Sequence, residues 1–256
     1  MKKIFLAIIA VASIAMVGCK NDKEKEPETE GTQVVEPKDD PKDDPQDIKE
    51  VQARFNDTIV MSMLMPGYTS YTVEIDNKIN GIVQDDTVFV QCIGETTLHI
   101  TADCTAKKDV KLTVLPYLTE EYMFTLPKMD WTRNRDAVVK ELGEPVSRVF
   151  VGDSCFAYYP EEPANPVIYY YFNGEDYNTL IEIVVAIPEE QQEHGELLKL
   201  FIAERFPFVG ADKNNTPPVW MYSDALRPFK DNTTILQYYQ QSGWNVSFRP
   251  YYSFVK

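Results

Sequence analysis

From residue 48 onward the apolar residues of this chain return mostly at every second position, and that spacing constrains the fold more than any other feature. Val51, Ala53 and Phe55 alternate with polar neighbours, as do Val88 and Val90, Leu98 and Ile100, and Val110, Leu112 and Val114. Period two is the spacing of residues on one face of a strand. Turn signals break the runs at Pro66-Gly67, Asp76-Asn77, Asn80-Gly81, Asp85-Asp86 and Gly94-Glu95. No ten-residue helical pattern competes, so residues 48–116 are expected to form a small all-β sandwich.

Residues 117–256 change character. In DWTRNRDAVVKELGEP, Trp131, Val138 and Leu142 recur at helical spacing. Asp130, Thr132 or Asn134 offers a cap, Gly143 supplies a left-handed C′ position, and Pro145 blocks continuation. Strands follow in SRVFV, CFAYY, VIYYYF and LIEIVVAI. A second helix is predicted from Pro188 through GELLKLFIAERF to Pro207, and then strands in VWMY, TTILQYYQ and WNVSFRPYY. The expected domain is α+β: an antiparallel sheet with two helices on one face. The order helix, aromatic strand, Tyr-rich strand, long strand occurs twice. Helix 133–142 answers 197–206, Tyr158 answers Tyr222, Phe172 answers Tyr239 and Pro188 answers Pro250, which suggests two helix-plus-three-strand units.

VIYYYF is apolar on both faces, with Val167, Tyr169 and Tyr171 on one and Ile168, Tyr170 and Phe172 on the other. Helices on one side bury only one of these faces. The other should present tyrosines outward. Tyr158, Tyr169, Tyr171, Trp220, Tyr238 and Trp244 are the candidate binding face. Tyr and Trp combine contact area with a polar handle, which suits protein or glycan partners; the same residues also favour strands for packing alone.

The N-terminus carries an address. Lys2 and Lys3 precede an apolar run from Ile4 to Val17, too short to span a bilayer, and Gly18-Cys19 closes it. This resembles a bacterial lipoprotein signal (residues 1–18), in which cleavage precedes a lipidated cysteine; Val17 and Gly18 fit, and Met16 departs from the usual Leu. The resemblance implies lipidation at Cys19 and an outer-membrane, lipid-anchored protein. Residues 19–47 read as a disordered acidic tether, punctuated by Pro27, Pro37, Pro41 and Pro45 and a tandem Pro-Lys-Asp-Asp. Acidic residues close behind the cysteine also resemble the surface-export signal of Bacteroidetes-type lipoproteins, which implies display at the cell surface; a periplasm-facing tether is the alternative.

The net charge of −15 is spread along the chain, and no segment is strongly basic. Nucleic acid is therefore not an expected partner, because its binding is led by Lys and Arg on phosphates. With Cys19 lipidated, Cys92, Cys104 and Cys155 remain, without a CxxC. Cys92 and Cys104 lie in one region and form a possible disulfide. Cys155, beside Phe156, reads as a small buried hydrophobe. No metal ligands or cofactor motif stand out.

Two further likenesses concern the folded regions. CIGETTLHITADCTAKKDVKLTVLP resembles the end of bacterial Ig-like (BIG-type) domains, which implies an Ig-like spacer or adhesive module over 48–116. RDAVVKELGEPVSRVF followed by FAYY is similar to the helix–Leu-Gly-x-Pro–strand signature of BamE/SmpA-type lipoproteins and the β-lactamase-inhibitor-protein family. Asp136, Val138, Leu142, Gly143, Pro145 and Tyr158 carry that likeness, which implies a fold used for protein contact.

VFVGDSCF raises a competing reading. Gly-Asp-Ser after an apolar strand resembles the nucleophile of GDSL hydrolases, with Ser154 as the serine. That family needs a downstream Asp-x-x-His, and here Gln191 stands in the acidic position before His194. His99 lies upstream, mid-strand, and reads as solvent-facing or structural. Gly152-Asp153 is read as a turn. The acidic pairs Asp85-Asp86, Glu161-Glu162 and Glu189-Glu190 are read as solvated rather than as a glycosidase pair. The expectation is a non-catalytic interaction module, with a glycan-binding component of a nutrient-uptake system as the alternative and a Ser154 hydrolase as the weaker one.

Overall fold

A computed structural model of the chain describes residues 48–150, 154–173 and 178–254. The signal, the tether and Cys19 lie outside the described residues, as do Gly152 and Asp153. The described residues belong to one compact unit, and most of their secondary structure is antiparallel sheet.

The first part holds two sheets. β1 (Glu50–Arg54), β7 (Ala106–Leu115), β6 (Gly94–Ala102) and β3 (Tyr71–Ile75) lie in that order, with β1 parallel to β7. β2 (Thr58–Val60), β5 (Thr87–Val90) and β4 (Gly81–Gln84) make the second. Val73, Leu98, Ile100, Val110 and Leu112 of one sheet share a buried cluster with Ile59, Val88 and Val90 of the other. The alternation in the sequence thus becomes the inner faces of a sandwich. After β2 the chain turns into α1 (Met61–Leu64), which sets Met61 and Leu64 into the core. Cys92 and Cys104 are both free thiols, the first buried and the second exposed. They flank opposite ends of the nine-residue β6, and at ~3.3 Å per residue that is ~30 Å, far beyond the ~6 Å a disulfide spans.

The second part is an eight-stranded antiparallel sheet in the order β12-β13-β14-β15-β11-β10-β9-β8. β8 (Ser147–Val149), β9 (Cys155–Tyr158), β10 (Val167–Asn173) and β11 (Thr179–Ile187) follow α2 (Arg135–Leu142); β12 (Phe208–Asp212), β13 (Val219–Ser223), β14 (Thr234–Gln240) and β15 (Trp244–Pro250) follow α3 (Gln192–Ala203). Each half is therefore a helix followed by a four-strand meander, not three strands, and β11 pairs with β15 to join them. The register repeats. Tyr158 opposes Ile168 and Phe156 opposes Tyr170; Tyr222 opposes Leu236 and Trp220 opposes Tyr238. Across the seam, Ile183 opposes Phe248 and Val185 opposes Val246, pairs that exchange under the same correspondence. Tyr238, not Tyr239, thus answers Tyr170. Phe172 faces the core and Tyr239 the other side, so they are not counterparts.

Asn134 caps α2, its side chain accepting from the Ala137 N–H at 2.9 Å. Gly143 ends it at φ +83°, a value that side-chain-bearing residues resist. Pro188 to Gln191 form a turn instead of the predicted first turn of α3. Val138 from α2 and Leu198, Phe201 and Ile202 from α3 share one buried cluster with Tyr158, Tyr170, Phe172, Ile183 and Phe248 of the sheet.

One buried ion pair fastens this region to the sandwich. Glu204, fully buried just past α3, accepts from the backbone N–H of Tyr117 at 2.8 Å and of Leu118 at 3.1 Å. Arg205 pairs with it at 2.6 Å and donates to the Leu118 carbonyl at 2.6 Å. The Glu204 carbonyl accepts from Ile93 N–H, just before β6, at 2.7 Å. Glu204→Ala strips a buried guanidinium and two amides of their partner. It should cost about 3–5 kcal/mol of stability in urea unfolding; a loss within 0.5 kcal/mol, roughly the range of neutral surface changes, would show that the pair does not bear this role.

Candidate functional site

The eight-stranded sheet has a second face that carries neither α2 nor α3. Strand parity selects its residues. On β10, Tyr169 and Tyr171 are half-buried and alternate with the buried Ile168, Tyr170 and Phe172. Tyr171 opposes Glu182 and Tyr169 opposes Val184 on β11. Val184 opposes Ser247 on β15, and Asn245 opposes Tyr239 on β14.

Glu182 is the electrostatic centre of this face. Its carboxylate accepts from Ser247 Oγ at 2.5 Å and from an Arg249 guanidinium nitrogen at 2.8 Å. Its side chain is 16% exposed, while Arg249 is 41% exposed. Arg249 Nε is shut from water without a hydrogen-bond partner. Burial pushes the phenols of Tyr171, Tyr169 and Tyr239 above their ordinary value, with nearby Glu182 adding to the effect at Tyr171 and Tyr239. They remain neutral donors and acceptors at physiological pH. Phe150, at positive φ, is largely exposed and lies 6.3 Å from the Tyr171 ring.

Two cavities open on this face and share Glu182, Tyr239 and Arg249. One, about 810 Å³, is lined also by Phe150, Tyr169 and Tyr171. The other, about 300 Å³, is lined also by Asn215, Gln237 and Gln241. Amides, hydroxyls and one neutralised ion pair among aromatic rings can hydrogen-bond and stack on a polar, uncharged ligand.

Of the residues expected on a binding face, Tyr169 and Tyr171 lie here. Tyr158 and Tyr238 do not: both are buried in the helix-side core. Trp220 and Trp244 also pack against that core. Lys199 Nζ lies 3.9 Å from the Trp220 ring centre. Trp244 lies directly over Gly195 of α3, where an added Cβ would sit 2.1 Å from the ring. Each of the four shares the parity of a core residue on its own strand, which the sequence alone does not reveal. Glu182, Ser247, Tyr239 and Arg249 were missed as a group. Their signal was the polar alternation of Asn245, Ser247 and Arg249 within WNVSFRP.

Elsewhere, Cys155 is fully buried and burial raises its thiol to about 11, so little thiolate forms at neutral pH. The Ser154 carbonyl accepts from Phe172 N–H at 2.8 Å. His194 packs against Tyr122 with ring centres 5.0 Å apart. His99 lies in the sandwich, 2.8 Å from Asp109 by Nδ1 and 2.9 Å from Asp76 by Nε2. These carboxylates meet opposite sides of one ring and do not converge on a point. Among the described residues, no cluster of three or more His, Cys, Asp or Glu is placed to hold a metal ion, and no helix is long and apolar enough to cross a membrane.

No known protein-family model matches the chain, and no curated protein matches it in sequence.

The hydrogen bonds to Asp109 and then Asp76 raise the His99 pKa above its ordinary 6.5. A folded-state pKa above the unfolded one gives stability that is present below about pH 6.5 and lost as pH rises through the folded value. NMR titration should therefore place the His99 midpoint above 6.5 and lower it in Asp109→Asn; a midpoint unmoved by that change would mean that the bond does not form in solution.

Proposed function

We propose that the chain is a lipid-anchored, surface-displayed recognition protein without catalytic chemistry, in which the helix-free face of the large sheet contacts a partner protein. The anchor is Cys19, after a charged and apolar leader closed by Gly18. Residues 19–47 act as the tether. The sandwich over 48–116 serves as an Ig-like spacer, and residues 117–256 form an α+β recognition domain of two helix-led units.

The single observation that carries the reading is Tyr169, Tyr171 and Tyr239 grouped around the Glu182–Arg249 pair on the face that neither α2 nor α3 covers. Tyr and Arg are the side chains that dominate binding energy at protein interfaces. A glycan is the second reading. It is favoured by the amides of Asn215, Gln237 and Gln241 beside Tyr239, which suit vicinal hydroxyls, with rings available for stacking.

A photo-cross-linking residue at Tyr169, in intact cells, tests the face. A discrete protein adduct is expected, and Tyr239→Ala or Arg249→Ala should remove it, since each anchor contributes about 2 kcal/mol, or about 30-fold in affinity. Retardation in gels containing neutral polysaccharide, abolished by the same variants, would favour the glycan. The absence of both the adduct and the retardation would sink the recognition reading. Palmitate labelling lost in Cys19→Ser checks the anchor.

A further inference from the structure

A third cavity, of about 570 Å³, lies away from the helix-free face, between the end of α2, segment 125–128 and the loop after β9. Its volume is that of a small-molecule site. Leu126, Leu142 and Ile168 give it apolar walls, and the rings of Tyr158 and Tyr170 stand edge to face, 5.6 Å apart, at its lining. Leu142 and Val146 are exposed at its margin.

One of its carboxylates has no cation paired with it among the described residues. Glu141, Glu144 and Glu162 line the cavity, against Lys128. Glu141 is paired by Arg133 at 2.9 Å and lies 3.9 Å from Lys128, and Glu144 is paired by Arg148 at 2.6 Å. Glu162 has no such cation among the described residues. Its Oε1 accepts from Thr125 N–H at 3.1 Å, and its Oε2 is shut from water with no hydrogen-bond partner. A buried carboxylate oxygen without a donor is unfavourable, and a cation beside it relieves that cost.

The other half of the domain carries a cation on its aromatic wall. There Tyr222 holds the place of Tyr158, and beside it the Lys199 ammonium sits on the Trp220 ring. That cavity is lined also by Phe55 and Gln91 of the sandwich. The cavity at Tyr158 has no such cover from the sandwich, and the cation of this half, the Arg148 guanidinium over Phe156 at 4.9 Å, is not among its lining residues.

We infer that the cavity at Tyr158 and Tyr170 binds a small organic cation, an ammonium on an apolar stem, with Glu162 as its counter-charge. Leu142 and Ile168 take the stem, and the electron-rich tyrosine faces attract the head. An anion is disfavoured by the Glu162 oxygen that lacks a donor, in a chain of net charge −15.

The test is an NMR titration of the full chain carrying Cys19→Ser with three probes of one stem: hexylamine, hexanol and hexanoate. Hexylamine should shift Leu142 and Tyr158 saturably, about tenfold more tightly than hexanol, and hexanoate should not. Glu162→Gln keeps the Thr125 acceptor, so it should weaken hexylamine about tenfold and leave hexanol unchanged. Leu142→Lys, at an exposed helix position, should place an ammonium over the cavity and displace the probe. Equal binding of hexylamine and hexanol, preference for hexanoate, or an unaltered hexylamine affinity in Glu162→Gln would each overturn the assignment.

Discussion

The Glu204–Arg205 pair holds the described chain together as one body. A carboxylate taken fully out of water is tolerable only when its lone pairs are filled, and here two backbone amides and a guanidinium fill them. Those amides belong to Tyr117 and Leu118, the connection between sandwich and large sheet. The same residue's carbonyl takes Ile93 from the sandwich. Arg54 adds a bond to the Pro116 carbonyl and lies over the Tyr117 ring. That connection is thereby fixed at both sides, and the sandwich sits against one end of the large sheet.

That docking breaks an internal symmetry. The two helix-led meanders repeat their core register residue for residue across the β11–β15 seam. The sandwich covers part of the second unit, beside Tyr222 and Trp220. The first unit keeps the corresponding region near Tyr158 uncovered by it. Two copies of one architecture thus acquire different surfaces because only one has a neighbour. The helix-free face crosses both units, and its central ion pair is assembled from one residue of each, Glu182 from β11 and Arg249 from β15.

Much of the fold was legible because strands announce themselves by parity. The inner faces of the sandwich, the three long strands of each unit and the stop of α2 at Gly143 follow from spacing and turn chemistry. β4 and β12 were not anticipated. Gly81 and Gly210 interrupt their apolar patterns, and their pairing comes from β5 and β13 rather than from their own composition. The Cys92–Cys104 pairing failed for a reason that sequence distance hides: a twelve-residue separation that contains a nine-residue strand puts the two thiols beyond its opposite ends.

By itself, the sequence determined that Tyr169 and Tyr171 must lie on the face opposite Tyr170, because alternation along a strand is a local consequence of backbone geometry. It likewise determined where α2 stops, since Gly143 takes a positive φ there and Pro145 follows. Only the tertiary structure decided which face the helices cover, that Tyr238 goes inward while Tyr239 goes outward, and that Trp244 packs on Gly195. It also brought Glu182 to Arg249, 67 positions apart in the chain. Those outcomes depend on pairing between distant strands, and a one-residue change of register would have turned every one of them to the other side.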